Sequence, residues 1–208
     1  MATLAQIDVM CEGALTGVPL PITLRPPVPL SDEEIMIFSR RNKPYRVERN
    51  VRGELEIMSP NGTEGSHWEA FVIGELHLWA RDHGGMYFSS NGGFTLPDGS
   101  MRSPDAAWVS SSRWAELGRK DRKRYAPICP DFLIEILSET DSRFLLERKM
   151  QMWIDNGAKL AWMIDPYAAT VSIYRPGAEV EVLERPESVE AGEPVAGFRL
   201  STASLWEE

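Results

Sequence analysis

The chain has 208 residues, 43% apolar and 25% charged, which suits one globular domain with a proper core. Its net charge of −9 argues against broad nonspecific adhesion to nucleic acid, which needs clustered positive charge, but leaves room for local basic patches. No apolar run approaches bilayer-spanning length, and Cys11 and Cys129 match no metal or redox spacing, so a reducing cytoplasm is the expected setting.

Residues 1–30 end in the proline-rich "PLPITLRPPVPL" and read as an irregular arm over the domain or a partner. The start, "MATLAQIDVMCEGALTG", lacks the basic and apolar pattern of a signal peptide. One domain is expected over 31–208, with its core roughly over 51–176. Ser31 and Glu34 have capping-box spacing and predict a helix with Ile35, Ile37 and Phe38 on its apolar side. "YRVERNVRGELEIMS" predicts a hairpin turning near Asn50 to Gly53. "SHWEAFVIGELHLWARDHGG" predicts a long amphipathic helix, with bulk from Phe71, Leu76, Leu78 and Trp79, ended by its glycine pair.

Short strands follow at "MYFSS", "GGFTL" and "SPDAAWVS", then a basic run, "RKDRKR" (119–124), whose plain reading is a solvated loop. "CPDFLIEILSE" predicts a strand, and "ETDSRFLLERKMQMWIDNG" a second strong helix closed by Asn156 and Gly157. Ser138 is the expected cap of that helix. "KLAWMIDP" has the unbroken apolar run of a strand covered on both sides. "TVSIYRP" and "EVEVLERP" close the pattern as an antiparallel pair. The order predicts an α/β or α+β sheet with helices on its faces.

Chemistry enters where acids sit among apolar residues. Side chains alternate along a strand, so Phe132, Ile134 and Ile136 share one face of the 131–137 run. Asp131, Leu133, Glu135 and Leu137 share the other. A buried, unpaired Glu135 would be costly, so a cation, donors or a metal must face it. Asp105 opens a neighbouring strand after a proline; a turn-capping aspartate is the plain alternative there. Together the two acids can bracket a divalent cation such as magnesium, which takes hard oxygen ligands. Lys149 lies in the helix after the Glu135 strand, flanked by Leu145 and Met152 at helical offsets, and is the candidate cation beside a reacting phosphate. A snorkelling surface lysine is its plain alternative. His67, His77 and His83 share no helical face, which argues against a zinc site. Packing is the expected role of Trp108, Trp153 and Trp162.

The segments "GELEIMSP", "GFTLPDGSMRSPDAAWVS", "CPDFLIEILSETDS", "RKMQMWIDNGAKLAWMIDP" and "TVSIYRPG" resemble, in order, a large bacterial family of restriction-endonuclease-like proteins within the PD-(D/E)XK nuclease superfamily. The resemblance spans roughly Ser31 to Pro176. It implies a mixed central sheet flanked by helices, with Asp105 as the motif aspartate and Glu135 as the acid of the next core strand. The superfamily's lysine lies two residues past that acid, where this chain has Leu137; the resemblance moves the role to Lys149 on the following helix. It implies Mg2+ or Mn2+ on Asp105 and Glu135, with the Ile136 carbonyl as a further ligand, and nucleic acid, DNA in the first instance, as partner. An additional acid from the first core helix is expected at Glu69 or Glu75, with Glu54 and Glu56 as further candidates, and His67 as either a phosphate donor or a helix cap. Asp131, about 13 Å from Glu135 along the strand at about 3.3 Å per residue, falls outside the first metal shell.

The leading expectation is therefore a homodimeric metal-dependent nuclease. A catalytically silent binding or assembly module, and a metallohydrolase of small phosphate esters, are the alternatives. A nuclease requires Asp105, Glu135 and Lys149 to converge in a pocket.

Overall fold

The apolar run Leu160–Asp165 is buried along its whole length and forms the centre of the larger sheet. In the computed structural model, which describes residues 20–206, thirteen strands and four α-helices follow one another. They are β1 (Ile22–Leu24), α1 (Asp32–Arg41), β2 (Arg46–Arg49), β3 (Leu55–Met58), α2 (Thr63–His83), β4 (Met86–Ser89), β5 (Phe94–Thr95), β6 (Met101–Arg102) and β7 (Ala106–Val109). After these come α3 (Ser111–Glu116), β8 (Phe132–Ile136), α4 (Arg143–Asp155), β9 (Leu160–Asp165), β10 (Thr170–Tyr174), β11 (Glu181–Glu184), β12 (Ser188–Glu190) and β13 (Arg199–Ser201). The larger sheet runs β11-β10-β9-β8-β7-β4. Within this sheet only β8 and β9 pair in parallel, with α4 as their crossover. The protein is thus a mixed α/β structure with helices on both faces of its main sheet.

Alternation along β8 decides which helix covers which face. Phe132, Ile134 and Ile136 pack with Trp68, Val72 and Leu76 of α2. Leu133 and Leu137 pack with Leu146, Met150 and Trp153 of α4. Both faces of β8 are therefore core, and Glu135 lies on the α4 side. A second sheet, β1-β3-β2-β6-β5, packs Val47, Leu55 and Ile57 against Ile35 and Phe38 of α1. The capping box of Ser31 and Glu34 starts α1, and the Asn50–Glu54 turn closes the hairpin, as expected. The strands at β4, β5 and β7, and the β10–β11 pair, fall where the sequence places them. Among the described residues no helix is long and apolar enough to cross a membrane.

Several local expectations are corrected. The arm is not irregular throughout, because Ile22–Leu24 pairs with β3 at the edge of the second sheet. Residues 1–19, and with them the signal-peptide reading, lie outside the described residues. The buried stripe of α2 is Trp68, Val72, Leu76 and Ala80, at intervals of four, and Leu78 is exposed. On α4, Leu145 is exposed; Lys149 instead neighbours the buried Leu146 and Trp153, three and four residues away. Ser138 does not cap α4: the N-cap position falls on Ser142, and the Ser138 N–H donates to Asp141. The basic run 119–124 is not all loop, since Asp121–Lys123 forms a 3-10 turn.

Candidate active site

Strand register sets the two acids side by side. Antiparallel pairing of β7 and β8 places Ala106 opposite Ile134. One step beyond, Asp105 comes opposite Glu135. The Ile136 N–H donates to Asp105 Oδ2 at 2.8 Å, tying the Asp105 carboxylate to the end of β8. Both acids are buried.

Glu135 is met from α4. Lys149 Nζ lies 2.9 Å from Glu135 Oε1, and the Trp153 indole N–H donates to the same oxygen at 2.8 Å. Residues 149 and 153 are one helical turn apart, so a single face of α4 presents cation and donor together. Asp105, Glu135 and Lys149, three residues marked in the sequence, therefore converge. Trp153 has a polar role beyond the packing expected of it.

Sequence reading did not single out Glu48, Arg46 or Arg102, which complete the cluster. Glu48 on β2 is buried; it accepts the Ser103 N–H at 3.0 Å, pairs with Arg102 at 2.8 Å, and lies 3.4 Å from Lys149 Nζ. Arg46, two residues earlier on the same strand face, lies 3.3 Å from Asp105 Oδ1 and 3.7 Å from Glu69 Oε1, and donates to the Ser103 carbonyl. The alternation of "RVER" puts Arg46 and Glu48 on one face, a signal visible in the sequence, but nothing local tells which sheet that face meets.

Of the accessory candidates, Glu69 joins the site and the others stand apart. Glu69 on α2 lies beside Asp105 and accepts from Ser90 at 2.7 Å and from Asn61. Glu56 pairs with Arg102 and stands opposite Glu48 in the hairpin, one residue removed from the acids. Glu54 is held at the turn by Arg25, Asn50 and Arg52. The Glu75 and His67 side chains make no hydrogen bond or ion pair among the described residues. His67 does not open its helix; it is exposed in the first turns of α2, which starts at Thr63. Asp131 belongs to another set: it accepts the Ser110 N–H at 2.9 Å and pairs with Arg113 at 3.0 Å and Lys159 at 2.8 Å. These contacts account for its burial without a metal.

The charges in the cluster are unequally compensated. Burial pushes the Glu135 carboxyl up, Lys149 opposes this, and the Asp105 and Glu48 charges add to the rise, leaving it at about 7. Burial and the Asp105 charge likewise raise Glu69 to about 7. Glu48 behaves in the opposite way. Burial alone would raise it, but Lys149, Arg102 and Arg46 together with the Ser103 N–H hold it at about 2. Lys149 is raised above its ordinary value, Glu135 and Glu48 outweighing its own burial.

The donor set is hard oxygen, crowded enough that two carboxyls resist ionising. A divalent cation relieves that crowding. Among the described residues no group of three or more His, Cys, Asp or Glu forms a ready cage. That agrees with magnesium's habit of taking one or two carboxylates and filling the remaining positions with water and phosphate. The residues fit such an ion.

Comparison with known proteins agrees with this architecture. No match is found among curated proteins. A solved structure, titled a putative nuclease belonging to DUF820 from Anabaena variabilis, is similar at a TM-score of 0.64 and 23% identity, covering 77% of this chain and 89% of that one. At that identity the likeness speaks to the fold. A family model described as "Uma2: Putative restriction endonuclease" matches residues 32–203. On the strength of that match, which takes in the described strands and helices from α1 to β13, the chain belongs to the Uma2 family.

Proposed function

We propose that the protein is a metal-dependent endonuclease that hydrolyses phosphodiester bonds, DNA in the first instance, at the Asp105–Glu135–Lys149 site. The observation that carries this is the convergence of the three groups: Asp105 bound to the Ile136 N–H, and Glu135 bound to Lys149. Asp105, Glu135 and the Ile136 carbonyl are the groups we assign to a bound Mg2+ or Mn2+. Such an ion supplies Lewis-acid polarisation of a phosphoryl oxygen and a nucleophilic water at neutral pH. The protein's own residues do the rest. Lys149 brings an ammonium to the edge of the acid pair, where negative charge develops on the phosphate. Trp153 and Lys149 both hold Oε1 of Glu135, which leaves its second oxygen for a cation. Glu48 is ionised and holds Lys149 from a second side. Arg46, a quarter exposed, can leave Asp105 for a phosphate oxygen when a cation takes its place. Glu69 supplies the helix-borne acid beside Asp105.

A catalytically silent binding or assembly module is the second reading, and one observation favours it. The four carboxylates Glu48, Glu69, Asp105 and Glu135 already face three cations, Arg46, Arg102 and Lys149, so the cluster is nearly neutral by itself. A homodimer in the cytoplasm completes the proposal; two-fold pairs are the commonest oligomers, and light scattering tests it.

The deciding experiment titrates Mg2+ and Mn2+ calorimetrically and follows oligonucleotide and plasmid cleavage for the wild type, Asp105→Ala, Glu135→Ala and Lys149→Ala, with circular dichroism as the folding control. Metal binding lost in folded Asp105 and Glu135 variants, and cleavage lost in all three, is the expected result. A wild type that binds neither metal, with or without oligonucleotide, gives the silent module precedence.

A further inference from the structure

Among its described residues the acidic chain carries a strongly basic concavity, and it reaches the site's flank at Arg46 and Glu48. A cleft of about 630 Å³ lies between the C-terminal end of α1, β2 and the 123–125 segment. Its lining includes Arg40, Lys43, Arg46, Lys123 and Arg124 against a single carboxylate, Glu48. That carboxylate is buried and already neutralised by Arg102 and Lys149. Five cations therefore face one cleft in a protein of net charge −9. The inner end of the cleft is Arg46, which touches Asp105, Glu48, which touches Lys149, and Ser103, which is hydrogen-bonded to both Arg46 and Glu48. Elsewhere its wall is made by Lys123 and Arg124, the end of the basic run, and by the last turn of α1.

Most of these cations are not engaged elsewhere. Lys43, Lys123 and Arg40 make no ion pair among the described residues, and the Arg40 guanidinium hydrogen-bonds the Met36 sulfur. Arg124 has one exposed partner, Glu33, at 3.8 Å, a contact of little strength. Converging like charges without partners repel one another, and a polyanion laid along them removes that repulsion. The cleft also contains aromatic surface. Tyr45 and Tyr125 line it, and the Tyr125 ring sits so tightly over Gly93 that a Cβ there would fall 1.7 Å from ring carbons. With no side chain at Gly93, the edge of the Tyr125 ring closes on the backbone there, which fixes the ring's position in the cleft wall.

Shape selects among polyanions. A duplex is read by a protein element that projects into its groove, about 12 Å wide on the major side. Here the cations line a hollow, not a projection. The hollow falls in the range, about 300–1,000 Å³, that encloses a drug-sized molecule, the scale of a nucleotide or two. A cationic groove with aromatic rings is how single strands are held without sequence preference.

We propose that this cleft binds single-stranded polynucleotide. Phosphates run along Arg40, Lys43, Lys123 and Arg124, bases lie against Tyr45 and Tyr125, and Arg46 hands the strand to the acid pair. The proposal rests on the nuclease reading for its site of cleavage, but not for binding.

The test measures fluorescence anisotropy in EDTA, with a labelled oligodeoxynucleotide and oligoribonucleotide, each single-stranded and as a duplex, across a salt series. The wild type is compared with Lys43→Gln/Lys123→Gln and with the same double variant carrying Arg40→Gln and Arg124→Gln. These side chains are all exposed, so the variants retain the fold, which circular dichroism checks. The expected result is tighter binding of single strands than duplexes, about a tenfold loss in the double variant, and a salt slope shallower by about 0.7 for each cation removed. A preference for duplex, variants that bind as the wild type does, or a wild type that binds no oligonucleotide overturns the proposal. Because no metal is present, absent cleavage in the metal experiment would remove the nuclease reading and leave this result standing. The converse also holds.

Discussion

Replacing Glu135 with glutamine separates the electrostatic account of the site from simple packing. The Glu135 carboxyl stands at about 7 against an ordinary value of 4.5, chiefly through burial. A raised carboxyl binds its proton more tightly in the folded than in the unfolded state. It therefore contributes stability that is complete below pH 4.5 and lost as pH rises through 7. Between pH 5.5 and 8.5 the wild type should lose about 2 kcal/mol from this group, at about 1.4 kcal/mol per unit of displacement. Glu135→Gln does not titrate and escapes that loss, so the variant gains about 2 kcal/mol on the wild type over the interval. Urea unfolding followed by circular dichroism at pH 5.5, 7.0 and 8.5 in EDTA measures it. Glu69, also near 7, titrates in both proteins and does not enter the difference to first order. Parallel stability curves would refute the reasoning: Glu135 would then carry no excess charge stress for a cation to relieve.

Three other outcomes follow from the same contacts. Mn2+ affinity should rise from pH 5.5 to 8 with proton release into buffer, because Glu135 and Glu69 at about 7 must shed protons to face a cation; calorimetry in two buffers of different ionisation enthalpy reads this, and a flat affinity counts against it. Arg46→Met should strengthen Mn2+ binding several-fold by vacating Asp105 Oδ1, whereas unchanged affinity would mean the guanidinium does not compete for that position. Asp131→Ala should lower stability by about 2 kcal/mol, since it strips Arg113 and Lys159 of their buried partner. The folded Asp131 variant should nevertheless bind metal as the wild type does, and weakened binding would move Asp131 into the site.

The legible part of this protein lay wherever chemistry and periodicity coincide within a few residues. The alternation of 131–137 marks Glu135 as an acid in a core strand, and the structure supplies its reason in Lys149 and Trp153. The capping box, the hairpin turn and the parallel strand at 160–165 are equally local signals. What was illegible is long-range. Glu48 is 101 residues from Lys149 and 55 from Ser103, so no window of sequence joins them. Glu54 stands beside Glu56 as a candidate in the sequence, yet Arg25, from the arm, claims it. On α2 the bulky Leu78 misled because helical phase, not side-chain size, selects the buried stripe, and Trp68 with Ala80 define that phase.

The location of the ammonium on α4 has a mechanical meaning. An acid and a cation two residues apart on one strand are bolted to the same hydrogen-bond ladder and can move only together. Here the acid pair is riveted by the β7–β8 register and the Ile136 N–H, while Lys149 rides on a helix that packs against the sheet chiefly through side chains. Sliding that helix by a fraction of a turn changes the ammonium-to-carboxylate distance and breaks no ladder bond. The reach of the cation is thus set by helix packing and by the Trp153–Glu135 hydrogen bond, not by the ladder that holds the acids.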